Sequence, residues 1–174
     1  VPNGNLLDPK GLYSKFFGLT PDQVTRVNSQ LLRNYLTNFE RPLILTYIEG
    51  EYQVEKVREL GPSDFLPRGL AVRARARVKP DDFTKPAPYP VVIESLFPTK
   101  ESPKGAPFHP GDTLEVKKSP NCAAIVHADR VLDGDEQVVC LPVIPIAYGP
   151  YRVGDDFTFN IEPPESIRPA AGFP

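Results

Sequence analysis

Leu70-Ala71-Val72-Arg73-Ala74-Arg75-Ala76-Arg77-Val78-Lys79 alternates small apolar side chains with cations along its whole length. Successive side chains of a pleated strand point to opposite faces of its sheet. The stretch therefore reads as a half-buried antiparallel strand, with Arg73, Arg75, Arg77 and Lys79 as a comb of positive charge on one face. The same period of two recurs at residues 43–49, 51–59, 89–97, 113–118, 121–132, 137–147 and 156–162, which makes eight candidate strands. Gly50 between the first two reads as the turn of a hairpin, and Asp133-Gly134 is the clearest turn signal in the chain.

Eight strands joined by long and short connections predict an all-β fold, a single jelly-roll sandwich or barrel. Residues 1–40 differ from the rest and form an N-terminal arm with a helical segment. Residues 41–162 form the sandwich, and residues 163–174 form an extended C-terminal arm too rich in proline for a central ladder. Within the first arm, Asp8-Pro9 supplies a cap and a first helical residue for a short helix through Leu12 and Phe16, stopped by Gly18. A second helix over residues 21–37 starts from Thr20, Pro21 and Gln23 as a capping box, with Leu19 and Val24 as its hydrophobic staple. Its apolar stripe of Val24, Val27, Leu31 and Tyr35 packs either on the chain's own sheet or on a neighbour. No repeat at a fixed period is visible, which argues against propellers and solenoids.

A chain of 174 residues is long enough for a core that needs no staples. Its 20 basic and 22 acidic residues nearly cancel, so no overall field recruits nucleic acid or repels a second copy. No stretch approaches the roughly 20 apolar residues that span a bilayer, and no basic-then-apolar leader opens the chain. The 22 prolines punctuate apolar runs without making the chain disordered. Together with the absence of methionine, they match a composition reported for heat-adapted proteins.

The residues that usually carry chemistry are sparse. Cys122 and Cys140 do not fall opposite each other in the hairpin set by Asp133-Gly134, so they are either buried thiols or a disulfide made through a different register or across sheets. With His109 and His127 they make a formal zinc set, but their spacing matches no compact finger. Cys122 and His127 project to opposite faces of a regular strand, which makes a poor nucleophile and base. No Gly-x-Ser-x-Gly elbow or phosphate loop is present. Asp129, Asp133, Asp135 and Glu136 gather near a turn without calcium-loop spacing. The expectation is that the chain is not an enzyme, with no catalytic residue, no cofactor and no metal.

The comb of Arg73, Arg75, Arg77 and Lys79 is the strongest surface feature and the candidate interaction face. Glu51, Glu55 and Glu59 share one face of a neighbouring strand, so ion pairing across strands or between subunits is the expected use. Nucleic acid is not expected, since no aromatics interleave with the cations. Inverting Arg75 is expected to disturb association more than folding.

In strand run, size and proline-rich ends, the chain resembles the small single-jelly-roll major capsid proteins of tailless, membrane-containing icosahedral phages of thermophilic bacteria. The resemblance implies a structural protein of the virion. It would self-associate as a homo-oligomer and pack with a larger companion capsid protein over the internal viral membrane lipid. The competing expectation is an extracytoplasmic β-sandwich that binds a glycan or protein, using Tyr89, Phe97, Phe108, Tyr148 and Tyr151 in loops.

Overall fold

The computed structural model describes residues 4–16, 22–27, 29, 45–64, 66–76, 90–99, 107–116, 123–126, 128–145, 149–153 and 157–162. In chain order the elements are β1 (Gly4–Leu7), α1 (Pro9–Phe16), β2 (Leu45–Ile48), β3 (Gly50–Glu59), β4 (Gly69–Ala76), β5 (Val91–Pro98), β6 (Thr113–Val116), β7 (Ala123–Ile125), β8 (Asp129–Asp133), β9 (Glu136–Pro145), β10 (Gly149–Val153) and β11 (Phe157–Ile161). Residues 22–27 are also helical. The fold is all-β and jelly-roll-like, a curled mixed sheet that forms a half-barrel. Each of the eight expected strands corresponds to an observed one, with 121–132 divided into β7 and β8; β1 and β10 were not anticipated.

Along the sheet the order is β1-β2-β7-β9-β5-β4-β3-β6, with β8 also paired to β9 and β10-β11 forming a separate ribbon. This order corrects the expected hairpin at Gly50. β2 bonds to β1 and β7, whereas β3 bonds to β4 and β6, so the two do not pair with each other. Only Glu49 lies between them in the chain, yet four strands separate them along the sheet. Both facts hold together only if the sheet rolls until its path meets itself at this corner. Gly50 makes the corner with φ of 116°, and a Cβ there would stand 2.5 Å from Cδ of Pro9. Any other residue would meet both backbone strain and a steric clash.

Alternation then fills the barrel. Leu70, Val72, Ala74 and Ala76 of β4 share one core with Val91, Ile93 and Phe97 of β5 and Val139, Leu141 and Val143 of β9. Asp8 caps α1 as its sequence predicts, accepting the Gly11 N–H through Oδ1 at 2.7 Å. The helix drops Leu12, Tyr13 and Phe16 into the same core, where they close the interior. Val24 is buried there and Val27 packs against it, so these two members of the predicted stripe lie on the chain's own core. Leu19, Thr20 and Pro21 of the predicted staple and capping box, residues 28 and 30–37 of that helix, and residues 163–174 fall outside the described residues.

Phe97 sits among three aromatic rings: Phe108 is stacked at 5.4 Å, Tyr151 at 5.1 Å and Phe159 edge-on at 5.7 Å. These distances fall in the favourable range for ring pairs. The β10-β11 ribbon thus supplies a second plug of the interior. β9 accommodates Pro142, which has no N–H, at the joint where its neighbour on one side changes from β7 to β8. There the Val126 N–H donates to the Pro142 carbonyl at 3.0 Å. The β8-β9 turn is shifted one residue from expectation. Asp133 pairs with Glu136, leaving Gly134 and Asp135 in the loop, because Gly134 takes the positive φ of 64° at the first central position.

Gly50→Ala is expected to destabilise the fold by about 2 kcal/mol or more. Gly61→Ala, with only an ordinary contact at 3.8 Å and no positive φ, should stay within about 0.5 kcal/mol of the parent. Urea unfolding of both variants checks this, and equal effects would remove the corner from its assigned role.

Candidate functional site on the outer sheet face

Arg73 and Arg75 project from β4 away from the core, as the alternation requires. Across the same face run Glu94 from β5, Glu55 and Arg58 from β3, and Glu136 from β9. A bulge between Val54 and Lys56 arranges the β3 side. Val54 pairs with Ala74 and Val57 with Val72, both core-facing positions, so Glu55 and Lys56 between them both turn outward. The bulge also changes parity beyond it. Glu59 pairs with Leu70 and so lies on the core side of the strand, which corrects the expected single face of Glu51, Glu55 and Glu59.

The charges interlock. Glu94 is nearly buried and receives Arg58 Nη2 on one carboxylate oxygen at 3.0 Å and Arg73 Nη2 on the other at 3.4 Å. Arg58 also reaches Asp64 at 3.0 Å, and Asp64 accepts the Gly61 N–H at 2.7 Å, tying the β3-β4 loop to the ladder. Arg75 donates from Nε to Glu55 and from Nη2 to Glu136 at 2.8 Å. Burial works against the Arg75 charge, but hydrogen bonds and attraction from these two carboxylates outweigh it and raise its pKa above the ordinary arginine value. For Arg58, burial is likewise outweighed by Glu94 and Asp64.

Apolar clusters flank the ladder. Leu60 and Leu66 of the β3-β4 loop cover Ala71, Leu96, Val126 and Ile144, while Val92, Val138 and Cys140 form a second patch beside Arg75. Cys140 is a buried thiol opposite Asp129. Arg77, Lys79, Cys122 and His127 fall outside the described residues. Of the aromatics expected in loops, Phe97 and Phe108 are core residues and Tyr151 packs against the core; Tyr89 and Tyr148 fall outside the described residues. The proline-rich surroundings of Phe108 suggest an exposed loop, but the fold stacks its ring on Phe97 at the end of β5. A cavity of about 10 Å³ between β6, β7 and Tyr151 has room for at most one water. Among the described residues no group of three metal-ligating side chains comes together.

Compared with known proteins, the chain matches no family model, no curated protein and no solved structure.

The geometry revises the expected effect of inverting Arg75. Arg75→Glu would crowd its new carboxylate against Glu55 and Glu136, so it should destabilise folding by roughly 1–3 kcal/mol at low salt. High salt should shrink the loss, since the site is partly open to solvent. Denaturation at two ionic strengths reads this out; an unaltered midpoint at both would refute it.

Buried tyrosines add a dependence on alkaline pH. Burial raises the Tyr52 hydroxyl above its ordinary value, helped by the charges of Asp8 and Glu49, and burial also raises Tyr13 and Tyr151. In the unfolded chain these groups ionise near pH ~10. The folded protein keeps them neutral, so their contribution is complete below that pH and is lost as pH rises through the folded values. Tyr52→Phe is expected to cost about 1 kcal/mol at neutral pH, through the lost 3.0 Å bond to the Glu49 carbonyl, and to flatten the alkaline decline. Thermal melts from pH 7 to 12 test it; an unchanged alkaline slope would exclude Tyr52 as a source.

Proposed function

We propose that the chain is a structural subunit of an icosahedral virus shell, associating with copies of itself and with a larger companion capsid protein over an internal lipid layer. In this reading the protein belongs to the virion and performs no chemical step. The observation that carries it is how the barrel spends its surfaces. Leu12 and Phe16 from α1, Tyr52 from β3 and Phe97 from β5 occupy the interior, all essentially inaccessible to solvent. On the outer face, Arg58, Arg73 and Arg75 answer carboxylates of the same chain. What remains for contact among the described residues is the rim: sheet edges at β1, β6 and β8, and the ribbon β10-β11. Strand edges carry unspent backbone donors and acceptors, and they join copies without any pocket.

The near-balance of charge supports the same reading, because a net charge of -2 offers little repulsion between copies. The expected result is a mass in solution that grows with concentration towards closed assemblies, read by analytical ultracentrifugation and electron microscopy. A strictly monomeric species over the whole soluble range would overturn the proposal.

A further inference from the structure

The edges differ in what they offer a neighbour. β11 pairs with β10 along one side, with Gly149 opposite Ile161, Pro150 opposite Asn160, Tyr151 opposite Phe159 and Arg152 opposite Thr158. In an antiparallel ladder, alternate residues either exchange both backbone bonds with the partner strand or point both groups away. Pro150 has no N–H, so Pro150 with Asn160 suits the pair that exchanges none. The Glu162 N–H, at the same parity, leaves the opposite side and donates to the Pro98 carbonyl at 2.9 Å. Thr158 and Asn160 therefore turn their N–H and C=O away from β10, with no backbone partner among the described residues.

Their side chains are exposed while Phe159 and Ile161 face the core, so the ribbon is anchored on one face, and its edge away from β10 is open at Thr158 and Asn160 and ends at Glu162, where Pro98 takes the backbone N–H. Residues Phe157–Ile161 carry no charge. The other edges are less suited to meet a copy of themselves. β6 carries the exposed Glu115, β10 has Pro150 with no N–H to give, β8 has two aspartates and an arginine among its five residues, and β1 runs at once into Pro9 and the helix.

We infer that two copies associate through β11, laid antiparallel to the same strand of the second copy about a two-fold axis at Phe159. This rests on the reading of the chain as a self-associating subunit and names the contact it uses. In this register Thr158 meets Asn160 of the partner subunit, Asn160 meets Thr158 of the partner subunit, and each pair exchanges both N–H···O bonds. No like charges within the strands oppose each other, and the two ribbons merge into one sheet, β10-β11 continued by β11-β10 of the second copy.

The register dictates the test. The double variant Thr158→Lys, Asn160→Lys places lysine opposite lysine across the axis without touching the core. It should weaken self-association by about tenfold or more while leaving the thermal melt near that of the parent. Thr158→Glu, Asn160→Glu should behave alike, and mixing the two variants should restore the dimer as a heterodimer. Ultracentrifugation of each protein and of the mixture reads the outcome, with circular dichroism confirming folding. A parent that never associates overturns this inference together with the wider reading. A parent that associates while the lysine variant associates equally well overturns the β11 contact alone, as does a mixture that fails to recover what each variant lost.

Discussion

The architecture depends on one corner. At Glu49 and Gly50 the chain leaves a strand bonded to β1 and β7 and enters one bonded to β4 and β6, so two residues hold together parts of the sheet that lie four strands apart. Gly50 is required twice, for its positive φ and for the space that the Pro9 ring occupies. The same packing fixes where α1 starts. A helix that begins at Pro9 against this corner, capped by Asp8, is aimed so that Leu12, Tyr13 and Phe16 enter the interior. A second close approach pins the other end of β4. Gly69 has φ of 130°, and a Cβ there would lie 2.0 Å from the Phe97 carbonyl oxygen, so β4 and β5 meet where the aromatic cluster forms.

Once the barrel is rolled, its outer face has to accommodate cations between apolar patches. A guanidinium that is mostly shielded from water is tolerated only with matching acceptors nearby. Glu94 on the central strand meets this need for Arg73 while also binding the more exposed Arg58, and Glu55, turned outward by the bulge, joins Glu136 in doing so for Arg75. The ladder spans β3, β4, β5 and β9 and reaches the β3-β4 loop through Asp64, so it clamps strands that the corner brought together. Its described positive members are already answered within the chain. This moves attention from the face of the sheet to its rim, where backbone groups have yet to be matched.

A filled interior, a self-neutralised face and open edges are a consistent set of properties for a building block. Each weak edge contact becomes effective when symmetry repeats it. The β10-β11 ribbon serves two purposes in that picture: Tyr151 and Phe159 seal the core on one side, and Thr158 and Asn160 leave donors and acceptors on the other.

Much of the local structure was legible in the residues. The alternation at Leu70 to Ala76 announced β4 and its two faces, Asp8-Pro9 announced the start of α1, and the apolar runs located the strands, because these depend on side-chain period and on chemistry within a few positions. Which strand lies beside which was not legible. Residues on either side of Gly50 look locally like a hairpin, and only the curl of the whole sheet makes them a corner. Glu55 looks like an ordinary member of an alternating run until the bulge shifts its register. Phe108 looks like a loop aromatic until Phe97, brought close by the fold, stacks on it. The sequence by itself determined most of the strands, the two faces of β4 and the Asp8 cap of α1. Tertiary structure decided strand neighbours, the partners of Arg73 and Arg75, and the edges left open, since these depend on long-range contacts that no short window of residues contains.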